Sequence, residues 1–189
     1  IAAISDGLGP FAGRIIHRNG RVVSIELAPS WADKGVTVGL LSDLTDAPAD
    51  LVDRSGPVAG DPFTDMNIAF SEDPVIVDVP RNLVVDLPFQ VIGVVEDANV
   101  VALPRLIVRA GENSEFAIVE WLTSDESQAL VIPRTDIEVG GAARVGHVAV
   151  NNLGRTTHQL GAITSSVGRD ATLRSAYVGL GGSYARSRI

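Results

Sequence analysis

From residue 74 onward, short runs of β-branched residues alternate with polar, glycine-marked breaks. The runs are Val75 to Val79, Phe89 to Val94, Leu106 to Val108, Phe116 to Trp121, Ala129 to Ile132 and Val145 to Val150. They lack helical periodicity and have the length and residue preference of strands. Between them recurs a turn, a small residue, a polar residue and an apolar one. It reads Glu96-Asp97-Ala98-Asn99-Val100, Gly111-Glu112-Asn113-Ser114-Glu115-Phe116, Gly140-Gly141-Ala142-Ala143-Arg144-Val145 and Gly168-Arg169-Asp170-Ala171-Thr172-Leu173. Ser114, Ala143 and Ala171 lie about 28–29 positions apart, and Ala98 precedes Ser114 by about 16. Such recurrence marks a repeat architecture, in which each coil buries its inward side chains against its neighbours. Pattern alone equally admits an antiparallel sandwich.

The chain before residue 74 is mixed. Arg14 to His17 and Arg21 to Leu27 flank Asn19-Gly20, a strong hairpin signal. Val36 to Leu41 predicts a strand, and Asp65 to Phe70 a short helix with Thr64 as its N-cap. Asp43 to Pro62, rich in Asp, Pro, Ala and Gly, predicts an ordered loop or a short helix followed by a linker. The division expected is a mixed α/β segment over 1–73 and a β-coil core over 74–189.

Composition narrows the function classes. An apolar share of 46% can fill a core, while aromatics at 5% leave the load on aliphatic residues. The net charge of −8 argues against nucleic acid as the main partner. No apolar run approaches the ~20 residues of a membrane span, and Ile1 to Gly9 lacks the pattern of a secretory signal. With no cysteine, disulfides, thiolate metal sites and a Cys nucleophile are absent from this span. A cytoplasmic location is expected. Tyr184 to Ile189 alternates like a strand with nothing after it to act as a cap, so a fragment of a longer protein is also expected.

Candidate chemistry is sparse. His17, His147 and His158 match no metal-ligand spacing and read as surface or hydrogen-bonded residues on strands. No G-x-S-x-G occurs, and Gly7-Leu8-Gly9 and Gly179 to Gly182 read as turns rather than phosphate cradles. The acidic pairs Glu72-Asp73, Glu96-Asp97 and Asp125-Glu126 fall between strands, where solvated carboxylates are ordinary. Polysaccharide-cleaving β-helices use carboxylate clusters, so a carbohydrate-active or adhesin-type β-solenoid is the alternative. No catalytic, cofactor-binding or metal residue is assigned.

The order of several short motifs resembles the SufB/SufD family of iron–sulfur cluster assembly proteins. These are Asn67-Ile68-Ala69-Phe70, Val79-Pro80, Leu103 to Val108, Gly111-Glu112-Asn113-Ser114, Val119-Glu120-Trp121, Gly168-Arg169-Asp170-Ala171 and Leu180 to Arg186. The likeness covers nearly the whole chain, more loosely before Asp65. Phe11 to Leu41 and the final Gly-Gly-x-x-x-Arg look like the SufD branch, and the functional cysteines usual in SufB are lacking. The resemblance implies a mainly β chain, a right-handed parallel β-helix preceded by a small mixed α/β segment. It implies a non-enzymatic scaffold that pairs with a SufB-like paralogue and engages a SufC-like ATPase. The iron–sulfur cluster would then be a product of the complex, with no cofactor held by this chain. The family's functional histidine and its SufC-docking helices come late in the chain, and His147 and His158 lie too early to stand in for that histidine. Self-association through an exposed β-helix edge is expected as well.

Overall fold

The recurrence of 28–29 residues is the length of one coil. In the computed structural model, which describes residues 2–44 and 60–189, β5 (Phe89–Val95), β8 (Glu115–Ser124), β11 (Arg144–Asn152) and β13 (Thr172–Gly179) stack in parallel. Phe89 lies opposite Ile118, Glu115 opposite Arg144, and Arg144 opposite Thr172. A second wall stacks β4 (Val75–Val79), β7 (Arg105–Ala110), β10 (Arg134–Val139) and β12 (Thr157–Val167), again parallel. Short β6 (Val100–Ala102) and β9 (Ala129–Val131) extend that wall along the first half of β12. β14 (Tyr184–Arg188) pairs with β12. The fold is a mainly β parallel solenoid of about four turns preceded by a small α/β segment, and parallel stacking rules out the antiparallel sandwich.

One corner explains the recurring signature. Asn82, Asn113, Ala142 and Asp170 all take positive φ, from 57° to 61°. Their amides donate up the stack: Asn82 N to Glu112 O, Asn113 N to Gly141 O, and Ala142 N to Arg169 O. Gly111 and Gly140 precede these turns because successive coils nearly touch there. A Cβ on Gly111 would sit 2.4 Å from the Arg81 nitrogen. Ser114 and Ala143 then enter the core almost fully buried. The signature at Glu96 to Val100 belongs elsewhere. Asn99, also at positive φ, donates from its amide to Gln128 O, and the Glu96 and Asp97 amides donate to the Asn19 side chain. Its offset of about 16 from Ser114 is therefore a step between corners of one coil.

The N-terminal segment completes the first coil. β1 (Gly13–Arg18) and β2 (Arg21–Leu27) form the expected hairpin, with both Asn19 and Gly20 at positive φ. β1 also pairs in parallel with β5, and β3 (Thr37–Leu40) runs antiparallel to β4. Ala12, Ile15 and Val36 thus share one core with Val75, Phe89, Val108 and Phe116. Helices α1 (Ala2–Leu8) and α2 (Pro29–Ala32), which the hydrophobic pattern did not signal, lie outside the sheets. Gln90 reaches out of β5 to donate to Leu8 O and Gly9 O, which fastens α1.

Helix α3 (Pro62–Phe70) starts three residues before the expected one, and its cap is Asp61, not Thr64. The Asp61 carboxylate accepts from Phe63 N, and Pro62 supplies a pre-set first turn, so Thr64 is drawn into the helix and buried. Burial pushes the Asp61 carboxyl up, but the Phe63 amide and the guanidinium groups of Arg188 and Arg186 outweigh it and hold it below its ordinary value. These contacts tie α3 to β14. Asn67 donates to Pro104 O and Ile132 O, so the same helix grips two successive coils. Most of the loop or helix expected over Asp43 to Pro62 lies outside the described residues.

Candidate functional site

Side chains alternate across each strand, so every second residue enters the lumen. In the coils nearest β1 and β5 these are mostly apolar, and Phe89 and Phe116 meet edge to face with centroids 5.8 Å apart. Farther along the strands the inward positions turn polar: His17 on β1, Glu120 on β8, Thr135 on β10, His147 and Asn151 on β11, Gln159 on β12, and Ser175 and Tyr177 on β13.

They form two hydrogen-bonded groups. In the first, Thr135 Oγ1 donates to Glu120 at 2.8 and 3.0 Å. His147 Nε2 meets Glu120 Oε1 at 2.7 Å, and its Nδ1 meets Ser175 Oγ at 2.9 Å. This group joins three stacked strands of one wall to β10 of the other. In the second, Asn151 donates to the Tyr177 hydroxyl at 3.1 Å, and that hydroxyl donates to Gln159 Oε1 at 2.8 Å. His17 is 4% exposed. Burial pushes its imidazole down to about 4, and the Glu120 carboxylate opposes the shift.

On the outward face of β10, Arg134 Nε holds Asp136 at 2.9–3.0 Å, Arg105 Nε lies 3.5 Å from it, and Thr164 hydrogen-bonds the same carboxylate. Burial pushes the Arg105 guanidinium down, while Asp136 works against that shift.

Ser175, His147 and Glu120 follow the nucleophile–base–acid order of serine hydrolases. Ser175 lies inside strand β13, however, rather than on the strained turn that presents such a nucleophile. A polar ladder between coils accounts for the contacts.

Residues 93–189, just over half of the chain, match the family model described as SUF system FeS cluster assembly, SufBD core domain. The chain belongs to the SufBD core family. No curated protein matches it. Membership ties this SufBD core chain to iron–sulfur cluster assembly by the SUF system. The matched stretch holds every polar luminal residue named above except His17.

The three histidines part company. His147 is hydrogen-bonded on a strand as expected, and His158 is exposed on β12. His17 lies in the lumen instead of at the surface, because the β1–β5 pairing sets it opposite Gly93. Among the described residues no cluster of three or more His, Asp or Glu could hold a metal. The acidic pairs stay apart: Asp73 bonds Ser42, Glu96 pairs with Arg18, and Asp125 accepts from Ser127. Gly9 follows α1 at φ +74° and Gly182 precedes β14 at φ +99°, so both mark turns, whereas Gly7 ends up inside α1. Thr135, Asn151, Gln159, Ser175 and Tyr177 carry no sequence signal of a site, and Glu120 enters only within the motif Val119-Glu120-Trp121. The usable signal was the alternation Val145, His147, Ala149, Asn151, which places two polar residues in register with two core residues.

Proposed function

We propose that the chain is a scaffold subunit of the SUF assembly complex, of the SufD kind, which pairs with a SufB-like paralogue and engages a SufC-like ATPase. The observation that carries this reading is the SufBD core match over 93–189 on a parallel solenoid. In it the chain does no catalysis and holds no cofactor, ATP hydrolysis belongs to the SufC-like partner, and the complex works in the cytoplasm. No helix among the described residues is long and apolar enough to cross a membrane, and a net charge of −8 gives phosphate backbones little to bind.

Self-association through a β-helix edge is the companion expectation, checked by light scattering. A monodisperse monomer would count against it.

Separation of the acidic pairs among the described residues lends the carbohydrate-active solenoid no support. The deciding test is co-expression of the tagged full-length protein with SufB-like and SufC-like proteins from the same source. A stoichiometric complex, with ATPase activity on the SufC-like partner, is the expected result. A folded protein that retains neither partner would overturn the reading.

A further inference from the structure

Between the two polar groups of the lumen lies a cavity of about 50 Å³, lined among others by His17, Gly93, Glu120, Asn151, Gln159 and Tyr177. Gly93 stands in the inward register between His17 and Leu122 and borders the cavity, with the Leu122 side chain packed so closely that an added Cβ would lie 2.9 Å from its Cδ1. His17 Nδ1 is buried there and has no hydrogen-bond partner among the described residues. An unmet polar atom of this kind is costly unless something in the cavity meets it.

Size and lining together select the occupant. Each water needs roughly 10–15 Å³ of such space and two to four polar partners, so this cavity holds about three to five. It is too small for a nucleotide, a sugar or a drug-sized ligand, which take hundreds of cubic ångströms. Its lining is mixed. Val91, Leu106 and Leu122 bring hydrocarbon, while Glu120 brings a carboxylate, Asn151 and Gln159 bring amides and Tyr177 a hydroxyl, drawn from both hydrogen-bonded groups. A wholly apolar cavity would instead stay dry and accept a gas.

We propose that the solenoid lumen contains a built hydration site, in which a cluster of about three to five ordered waters is anchored on His17 Nδ1 and shared with Glu120, Asn151 and Gln159. These waters join the Thr135–Glu120–His147–Ser175 chain to the Asn151–Tyr177–Gln159 group. The lumen then carries one continuous polar column from the first coil to the last.

The test is a high-resolution crystal structure of the full-length protein, with and without xenon pressurisation. Water within hydrogen-bonding distance of His17 Nδ1, and no xenon in the cavity, is the expected result. An empty cavity, a rotated His17 ring bonded to protein alone, or xenon occupancy would overturn the proposal. In solution, long-lived water should give nuclear Overhauser contacts to the His17 ring protons. Those contacts should vanish in Gly93→Ala, whose added methyl meets the Leu122 side chain and takes up part of the space. Should that variant fail to fold, His17→Phe provides the second reading: loss of the water nearest position 17 while those near Gln159 persist. Retention of all the waters with Phe at 17 would refute His17 as the anchor.

Discussion

The two parts of the lumen are built on one backbone and held by different forces. Around Phe89, Phe116, Val77, Val108 and Ile137, stacked coils present aliphatic and aromatic side chains that need only exclude water. Around Glu120, His147, Asn151, Gln159 and Tyr177, the same register presents polar groups, each of which must find a partner. A parallel solenoid makes both possible, because a residue lies directly above its counterpart one coil earlier. Like stacks on like where the content is apolar. Where it is polar, partners need not be in register: His147 meets Ser175, its register partner on β13, but on β8 it reaches Glu120, two residues beyond its register partner Ile118. The apolar part therefore tolerates hydrophobic exchange of similar volume, while the polar part tolerates little.

Truncation should separate the two most sharply. Phe89→Ala removes a fully buried ring packed on Phe116 and should cost about 3–5 kcal/mol of unfolding free energy. Phe89→Leu should recover much of that, and chemical denaturation of both measures it. Equal losses would mean that this part is as intolerant of shape as the polar one.

Acid should act on the polar part alone. An unperturbed imidazole titrates near 6.5, and burial holds His17 at about 4. Above 6.5 the ring is neutral folded and unfolded, and it contributes no pH dependence. As pH falls from 6.5 toward 4 the unfolded chain takes up a proton that the folded chain excludes, so stability drops by about 3 kcal/mol. Below 4 both states are protonated and this loss levels off. Denaturation across that range should show a shallower slope for His17→Leu than for the unaltered protein. Parallel curves would remove His17 as the source.

His147→Leu leaves Glu120 without its imidazole and Ser175 without its acceptor or donor, at a cost of about 1–3 kcal/mol. Combined with Glu120→Gln in a double-mutant cycle, it should show coupling between the two. Additive losses would reduce the chain to independent polar residues. Asn113→Ala, on the exposed corner, is the mildest change. It places alanine at φ +57° and removes the bond to Asn82, worth about 1 kcal/mol, with no effect on either part of the lumen.

The coil was legible in the sequence, and the polar column was not. Spacing of Ser114, Ala143 and Ala171 reported the length of one turn because a solenoid repeats its corner wherever the backbone must reverse. Asn19-Gly20 specified its hairpin for a similar local reason, since few residue pairs accept two positive φ values. Strands with polar interiors escaped notice: Arg134–Val139 and Thr157–Val167 carry too many polar residues to read as β-branched runs. Thr64 and Asp61 are both competent caps of α3; the Phe63 amide and Pro62 favour Asp61, and Arg186 and Arg188, more than a hundred residues away, reinforce the choice.

By itself the sequence determined turn positions, coil length and the family, all of which rest on local dihedral preference and on the order of short motifs. Tertiary structure alone decided which polar residues face one another. His17 and Glu120 are a hundred residues apart and share a cavity because parallel pairing stacks β1, β5 and β8 in register. Hydrogen bonding and desolvation act on distance in space, and the chain does not write that distance until the coils have closed.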